Sequence, residues 1–125
     1  MFQILVEESA EWPEDGELTV SNVYTGKITV SPDTARYRAN GYIGGHIAFF
    51  GYAKNPQLVL NGRPRWRLEG WLRLRGLGDV GQICSVYVDA RTGEVLEMDE
   101  SKIESIKEYA NEIAQRAILD AGAGG

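Results

Sequence analysis

The side chains best suited to chemistry are concentrated in one stretch of alternating sequence. Four arginines surround a tryptophan on one side of this stretch: Arg65, Arg67, Trp71, Arg73 and Arg75. Guanidinium groups bind carboxylates and phosphates, and an indole ring stacks on cations, bases or apolar side chains. A protein core requires none of these groups. The pattern therefore predicts a surface that contacts something, either in this chain or in another.

Acid–base, nucleophilic and metal chemistry have few candidates. The chain has one histidine, His46, and one cysteine, Cys84, and nothing in the sequence places them together. We interpret His46 as a packed or solvated side chain and Cys84 as part of the core. No group of histidine, cysteine and carboxylate residues has the spacing of metal ligands, and the glycine-rich segments are not phosphate loops. The sequence therefore favours a protein that is not an enzyme and has no cofactor or metal, with a small enzyme of unknown class as the least favoured alternative.

The intervening residues show which element carries the arginines. Trp66, Leu68, Gly70, Leu72 and Leu74 alternate with the polar positions. A period of two is typical of a β-strand with one buried face. We expect a strand over residues 65–75 with its apolar side in the core and its basic side outside.

Composition limits the class of protein. The chain has 125 residues, 43% hydrophobic and 25% charged, which is typical of one globular domain. No segment approaches the ~20 apolar residues that cross a bilayer. Because the chain has a single cysteine and no export signal at its start, we expect a cytoplasmic protein with no membrane partner.

Charge is distributed unevenly along the chain. The net charge of -5 combines a basic middle, residues 32–93, with two acidic ends, residues 1–31 and 94–125. A basic middle between acidic ends can be neutralised internally. The arginines alone therefore do not indicate nucleic-acid binding.

The first part of the chain predicts strands and then a helix. Phe2, Ile4 and Val6 alternate, and the β-branched runs 18–20 and 27–30 predict an amino-terminal hairpin. Ser31 followed by Pro32 predicts a helix start. Because glycines weaken a helix interior, the three glycines at 41, 44 and 45 predict that the helix ends near residue 43.

The rest of the chain predicts an antiparallel sheet and a second helix. Strands are expected over residues 57–60, 65–75 and 83–89, with a tight turn at 61–62 and a loop at 76–81. The short connections favour antiparallel pairing. A capping box formed by Ser101 and Glu104 predicts a long helix over 101–120, and the glycine-rich tail, 122–125, should fray.

Matching the apolar faces of the last two strands predicts their register. Leu74 would lie opposite Cys84, Leu72 opposite Val86, and Gly70 opposite Val88. The same register places Trp71 opposite Tyr87 on the outer face, as a cross-strand aromatic pair. Gly70 would mark a bulge or the close approach of a helix.

The turn after this strand resembles a known family. Residues 86–96, Val-Tyr-Val-Asp-Ala-Arg-Thr-Gly-Glu-Val-Leu, are similar to the closing hairpin of PepSY domains. A helix followed by a tryptophan-bearing strand fits the same order, so the resemblance covers roughly residues 31–97. It implies a cystatin-like helix-on-sheet unit, and PepSY domains are thought to bind or restrain peptidases. The acidic amino end and the long carboxy-terminal helix depart from the family pattern.

Together these patterns predict a single α+β domain over residues 1–125. Its parts are a strand-rich segment (1–30), a PepSY-like core (31–97), a terminal helix (98–121) and a tail (122–125). The core is an antiparallel sheet with an α-helix packed on one face. The expected function is non-catalytic binding of a protein or peptide through the outer sheet face or a sheet edge.

Three interpretations of the arginine-rich face are open. The face could be neutralised internally by the acidic amino segment or the acidic terminal helix. It could bind a protein, a peptidase or a second copy of the chain among them, because tryptophan, tyrosine and arginine dominate binding hot spots. It could bind single-stranded nucleic acid, although the overall acidity counts against this alternative. The residues that would carry either binding function are Arg65, Arg67, Trp71, Arg73, Arg75 and Tyr87.

Overall fold

A computed structural model describes residues 2–6, 14–17, 25–60 and 62–123 of the chain. These residues form four strands and two helices. In chain order the elements are β1 (Gln3–Val6), α1 (Pro32–His46), β2 (Gly51–Leu60), β3 (Arg65–Leu74), β4 (Gly78–Asp89) and α2 (Glu100–Ala123). The predicted α+β class is confirmed, with a helix packed on a sheet and a long carboxy-terminal helix.

The sheet has the strand order β1-β2-β3-β4 and is mixed. β2, β3 and β4 are antiparallel, as their short connections predict. β1 differs from the expected all-antiparallel sheet because it pairs in parallel with the second half of β2, where Gln3 lies opposite Gln57. A parallel pair needs a crossover connection, and α1 lies in the connection between these two strands.

The predicted amino-terminal hairpin is not formed by the described residues. The run 18–20 lies outside them, and residues 25–30 are not in a strand. Instead, the amides of Thr29 and Val30 both donate to the Ala90 carbonyl, at 3.1 and 3.0 Å. The buried Val30 side chain joins the core.

α1 begins as predicted and ends later than predicted. The Ser31 side chain accepts a hydrogen bond from the Thr34 amide. The helix continues through all three of its glycines to His46. One face of α1 explains why it does not end at residue 43: Ala35, Ala39 and Ile43 are completely buried against the sheet. Burial of apolar surface outweighs the low helix propensity of the glycines.

β2 starts six residues earlier than predicted and contains a proline. A bulge at residues 55–56 interrupts its pairing with β3, and Asn55 has a positive φ of 57°. The irregularity allows Pro56 to lie within a strand, since proline cannot donate to a regular ladder. The earlier start adds Tyr52 and Lys54 to the sheet.

The alternation of β3 is confirmed. Trp66, Leu68 and Leu72 are buried among the helices, and the Trp66 indole donates to the Val30 carbonyl at 2.8 Å. Gly70 fulfils both expectations for it. A bulge follows it, and a Cβ there would collide with Cys84 Sγ and lie 3.3 Å from Ile43 Cδ1.

The predicted register between β3 and β4 is wrong. Gly70 lies opposite Cys84, Arg67 opposite Tyr87, and Trp71 opposite Gln82. The error comes from residues 76–81, which were expected to form a loop. The chain turns within three residues after Leu74, and β4 begins at Gly78, where two glycines with positive φ permit a tight turn.

α2 is capped by Asp99 instead of the expected Ser101. Asp99 Oδ1 accepts hydrogen bonds from the Lys102 amide at 2.8 Å and the Ser101 hydroxyl at 2.9 Å. One side of the helix is apolar, and its Ile106 and Ala110 join the core. The helix extends to Ala123, so residues 122–123 do not fray as expected, and 124–125 lie outside the described part of the chain. No helix among the described residues has the length and apolarity needed to cross a membrane.

Candidate binding face

The outer face of the sheet is the face that points away from the helices. α1 packs against the other face of the sheet, where Ile43 approaches Gly70. α2 packs against the same face, where Ile113 approaches Gly81. Of the two internal alternatives, neutralisation by the acidic terminal helix is not supported, because α2 packs Ile106, Ala110 and Ile113 against the core. Both helices pack on the other side of the sheet, and about half of the remaining acidic candidate, the amino segment 1–31, lies outside the described residues.

Two groups of contacts divide this face. In the first, the Arg65 guanidinium lies 4.9 Å from the centre of the Tyr87 ring. The neighbouring Arg67 donates from Nε to Gln57 Oε1 at 3.0 Å, and its Nη2 donates to the same oxygen. All four side chains are half-buried. These two arginines are thus held along their lengths by neighbours in the sheet.

The second group is centred on Asp79 at the other end of the face. Its Oδ2 accepts from Tyr52 Oη at 2.5 Å and lies 2.8 Å from Lys54 Nζ. Its Oδ1 accepts from Arg73 Nε at 3.1 Å. Hydrogen bonds from Lys54 and Tyr52 lower the pKa of Asp79 far below its usual range. The same contact with Asp79 raises the pKa of Lys54.

Trp71 is fixed at its face and at its edge. The Lys54 ammonium lies 3.8 Å from the centre of the indole ring, a cation–π contact. The Trp71 Nε1–H donates to Glu69 Oε1 at 2.8 Å, and that oxygen also accepts from Asn55 Nδ2 at 3.1 Å. The carboxylates that satisfy this end of the face are therefore Glu69 and Asp79 of the sheet itself.

The six sequence-predicted site residues are split by this arrangement. Arg65, Arg67 and Tyr87 lie in the first group, while Trp71 and Arg73 lie in the second. The predicted pair of Trp71 with Tyr87 does not form, because the register places Gln82 opposite Trp71. Arg75 is exposed in the turn after β3.

Sequence analysis missed several residues of the second group. The sequence predicts a loop at Asp79 and no strand that includes Tyr52 or Lys54. The alternation of Tyr52 and Lys54 was the available signal, and it required β2 to begin at Gly51. Asp79 required β4 to begin at Gly78.

A groove adjoins the second group at the corner of the sheet. Its volume is about 480 Å³, and its walls include Phe49, Phe50, Tyr52, Arg73, Leu74 and Arg75. Phe49 is 85% exposed and Phe50 is 58% exposed, with ring centres 5.2 Å apart. Contiguous exposed apolar groups are typical of interaction sites, and two adjacent phenylalanines with this exposure form such a group. The corner thus combines aromatic rings with guanidinium groups.

The sheet edges are less accessible to a new strand. Along β4, the Leu96 amide donates to the Tyr87 carbonyl at 2.9 Å, and the Asp89 amide donates to the Glu94 carbonyl at 2.8 Å. Along the first half of β2, the Ala53 amide donates to Asn40 Oδ1 of α1 at 2.5 Å. β1 is the remaining edge, and its Ile4 side chain is 60% exposed.

The two candidate reactive side chains have different surroundings. Burial raises the pKa of the Cys84 thiol to about 11, which disfavours the thiolate. His46 lies on the surface of α1 with its ring 4.8 Å from that of Tyr42. No group of three histidine, cysteine or carboxylate side chains suited to a metal ion occurs in the described part of the chain.

Comparisons with protein-family models, with curated proteins and with solved structures gave no match. The resemblance to PepSY domains therefore stays a prediction from residues 86–96. The features that bear on function are the geometry of the outer face and the cavities around it.

Proposed function

We propose that this protein is a non-catalytic binding module that engages an acidic segment of a protein partner at the corner of the outer face. The corner surface consists of Phe49, Phe50, Tyr52, Lys54, Trp71, Arg73, Arg75 and Asp79. The observation that carries the proposal is the juxtaposition of exposed aromatic rings and arginines beside an open groove.

Charge supports an acidic partner. Lys54, Arg73 and Arg75 contribute three cations to this end of the face, against the two carboxylates of Asp79 and of Glu69, which binds Trp71. The whole chain carries a net charge of -5. A local excess of positive charge in an acidic protein steers and orients an acidic partner.

The arginines of the corner have donors available for a ligand. The Arg73 side chain is 61% exposed, although its Nε is bound to Asp79 and its Nη2 to the Tyr52 hydroxyl. A guanidinium has five N–H donors in a fixed plane, so these bonds orient the group and leave others for a carboxylate. Asp79 thus acts as a positioning residue for Arg73.

The groove supports an apolar anchor on the same partner. Phe49 and Phe50 are too exposed to contribute much to the core, and Leu74 lines the groove beside them. An aromatic or aliphatic side chain of the partner would bury these rings. Anchors of this kind dominate the free energy of protein interfaces.

The outer face is favoured over the sheet edges. The Asp89 amide and the Tyr87 carbonyl of β4, and the Ala53 amide of β2, already have hydrogen-bond partners, so strand addition at these positions would break existing bonds. The resemblance to PepSY domains is compatible with a peptidase as the partner. The geometry of the corner surface bears on the chemistry of the bound segment, which is acidic residues beside an apolar anchor.

Selection from a library of displayed short peptides tests the proposal. The bait is the full chain, and the comparison bait carries Arg73→Glu and Arg75→Glu. The control bait carries Arg36→Glu and Arg116→Glu, which make the same charge change at exposed positions on the helices. We expect peptides with acidic residues around an aromatic anchor, enriched by the wild-type and control baits and lost with the comparison bait.

Three outcomes contradict the proposal. Enrichment that is the same on all three baits removes the corner surface as the site. If sedimentation shows a dimer, and the Arg73→Glu and Arg75→Glu changes dissociate it, the occupant of the corner surface is a second copy of the chain. Binding of an oligothymidylate that weakens steeply with salt and is lost with the same changes identifies nucleic acid instead.

A further inference from the structure

A second cleft lies between α1 and the segment that follows β4. Its volume is about 480 Å³, and its lining includes Arg38, Gly41, Tyr42, His46, Glu94 and Glu97. This volume falls in the range of small-molecule sites. No residue of the cleft belongs to the corner surface, so a ligand here would bind independently of the proposed function.

The floor of the cleft is aromatic. Tyr42 is 9% exposed, and its hydroxyl accepts a hydrogen bond from the Met98 amide at 2.9 Å. This bond ties α1 to the segment that forms the opposite wall. The His46 ring lies against the Tyr42 ring at 4.8 Å between centres. The two walls are therefore joined by a hydrogen bond, with an aromatic surface between them.

The walls carry opposite charge. The cation Arg38 lies on the α1 wall with the His46 ring, while the carboxylates of Glu94 and Glu97 lie on the other. Within the described part of the chain, these four side chains form no ion pair or side-chain hydrogen bond with a neighbour. Other surface charges of the protein do pair, as Arg36 does with Asp33 at 3.3 Å. A cation and carboxylates facing each other across an open cleft fit a ligand that carries both charges.

Gly41 opens the cleft at the cost of helix stability. A glycine in a helix interior is about 1 kcal/mol less favourable than alanine. Packing does not require this glycine, because a Cβ at residue 41 would meet no atom within 4 Å. The position lines the cleft, so a larger side chain there would occupy the ligand space.

We propose that this cleft binds a small zwitterion of the amino-acid type. The carboxylate of the ligand pairs with Arg38, its ammonium group pairs with Glu94 and Glu97, and its side chain packs on the rings of Tyr42 and His46. A guanidinium provides the bidentate geometry that a carboxylate prefers. Opposed charges select a ligand with both groups over one that lacks either.

Titration with L-phenylalanine, followed by NMR of the imidazole of His46, tests this site. His46 is the only histidine, so its ring signals report this cleft alone. N-acetylphenylalanine keeps the carboxylate and loses the ammonium, while phenylalaninamide does the reverse. We expect saturable binding of phenylalanine, at about 1 mM or tighter, and about tenfold weaker binding of each blocked analogue.

Variants of the walls separate recognition from non-specific binding. Arg38→Gln should remove the preference for phenylalanine over its amide, and Glu94→Gln combined with Glu97→Gln should remove the preference over the N-acetyl form. Gly41→Leu should abolish binding. Arg36→Gln and Gly44→Leu are the matched controls on α1, since neither residue lines the cleft.

Any of three results would overturn the site. The first is the absence of a saturable change at His46 with phenylalanine, the second is equal binding of the three compounds, and the third is equal binding by wild type and Gly41→Leu. None of these results bears on peptide selection by the corner surface, which shares no residue with the cleft.

Discussion

The ammonium nitrogen of Lys54 lies 3.8 Å from the centre of the Trp71 ring and 2.8 Å from Asp79 Oδ2. One lysine therefore links the indole to the carboxylate that also holds Arg73 and Tyr52. The outer face is ordered by carboxylates of its own sheet. A partner would meet side chains that are already in place, which lowers the entropy lost on binding.

Acid should weaken the protein through Asp79. Because the folded state lowers the pKa of this carboxyl from 3.8, its contribution to stability is present above that value and is lost as the pH falls below it. We expect the stability difference between wild type and Asp79→Asn, measured by urea unfolding, to shrink between about pH 5 and pH 2. Asp33→Asn is the control, since its partner Arg36 is largely exposed. A difference that does not change with pH would contradict the contacts of Asp79.

Gly70 should not tolerate a side chain. Gly70→Ala would place a Cβ against Cys84 Sγ and beside Ile43 Cδ1, so we expect a loss of about 1–3 kcal/mol in the free energy of unfolding. Removing the sulfur with Cys84→Ala should reduce that loss. The double-mutant cycle, measured by chemical denaturation, checks the contact directly. Additive effects of the two substitutions would refute it.

Gly44 should respond in the opposite direction. It lies in α1, and a Cβ added at this residue would have no atom within 4 Å, so alanine meets no steric obstacle. We expect Gly44→Ala to raise the free energy of unfolding by up to about 1 kcal/mol. Thermal unfolding measures the change. A loss of stability would mean that α1 is not a continuous helix through residue 44.

Cys84 should react slowly with thiol reagents in the folded protein. Burial raises its pKa from 9.0 to about 11, so the thiolate is scarce near neutral pH. We expect the rate of modification to rise steeply above about pH 9 and to be much faster in urea at every lower pH. Stability should fall over the same alkaline range, because the unfolded state loses the proton first. Equal rates in folded and unfolded protein near neutral pH would place the sulfur on the surface.

Much of the fold could be predicted because local patterns and packing agree. The alternation of Trp66, Leu68 and Leu72 marks the buried side of β3, and Ser31 marks the start of α1. The errors arose where tertiary contacts override local preference. Burial of Ile43 carries α1 past glycines that weaken a helix, and a bulge accommodates Pro56 within β2.

The candidate site was predicted only in part. Side-chain type identified the arginines and Trp71, but register decides which residues meet, and register depends on where a turn closes. The tight turn after Leu74 brought Gln82, not Tyr87, opposite Trp71. It also brought Asp79 next to Arg73, a pairing that the predicted loop over residues 76–81 did not include.

The indole signals of a peptide-bound sample test the central claim most directly. Trp71 Nε1–H donates to Glu69 on the outer face, whereas Trp66 Nε1–H donates to Val30 inside the core. When an acidic peptide selected by the wild-type chain is added, we predict that the Trp71 indole NMR signal moves and the Trp66 signal does not. Movement confined to Trp66 or to the amides of β1, with Trp71 unchanged, would contradict binding at the corner surface.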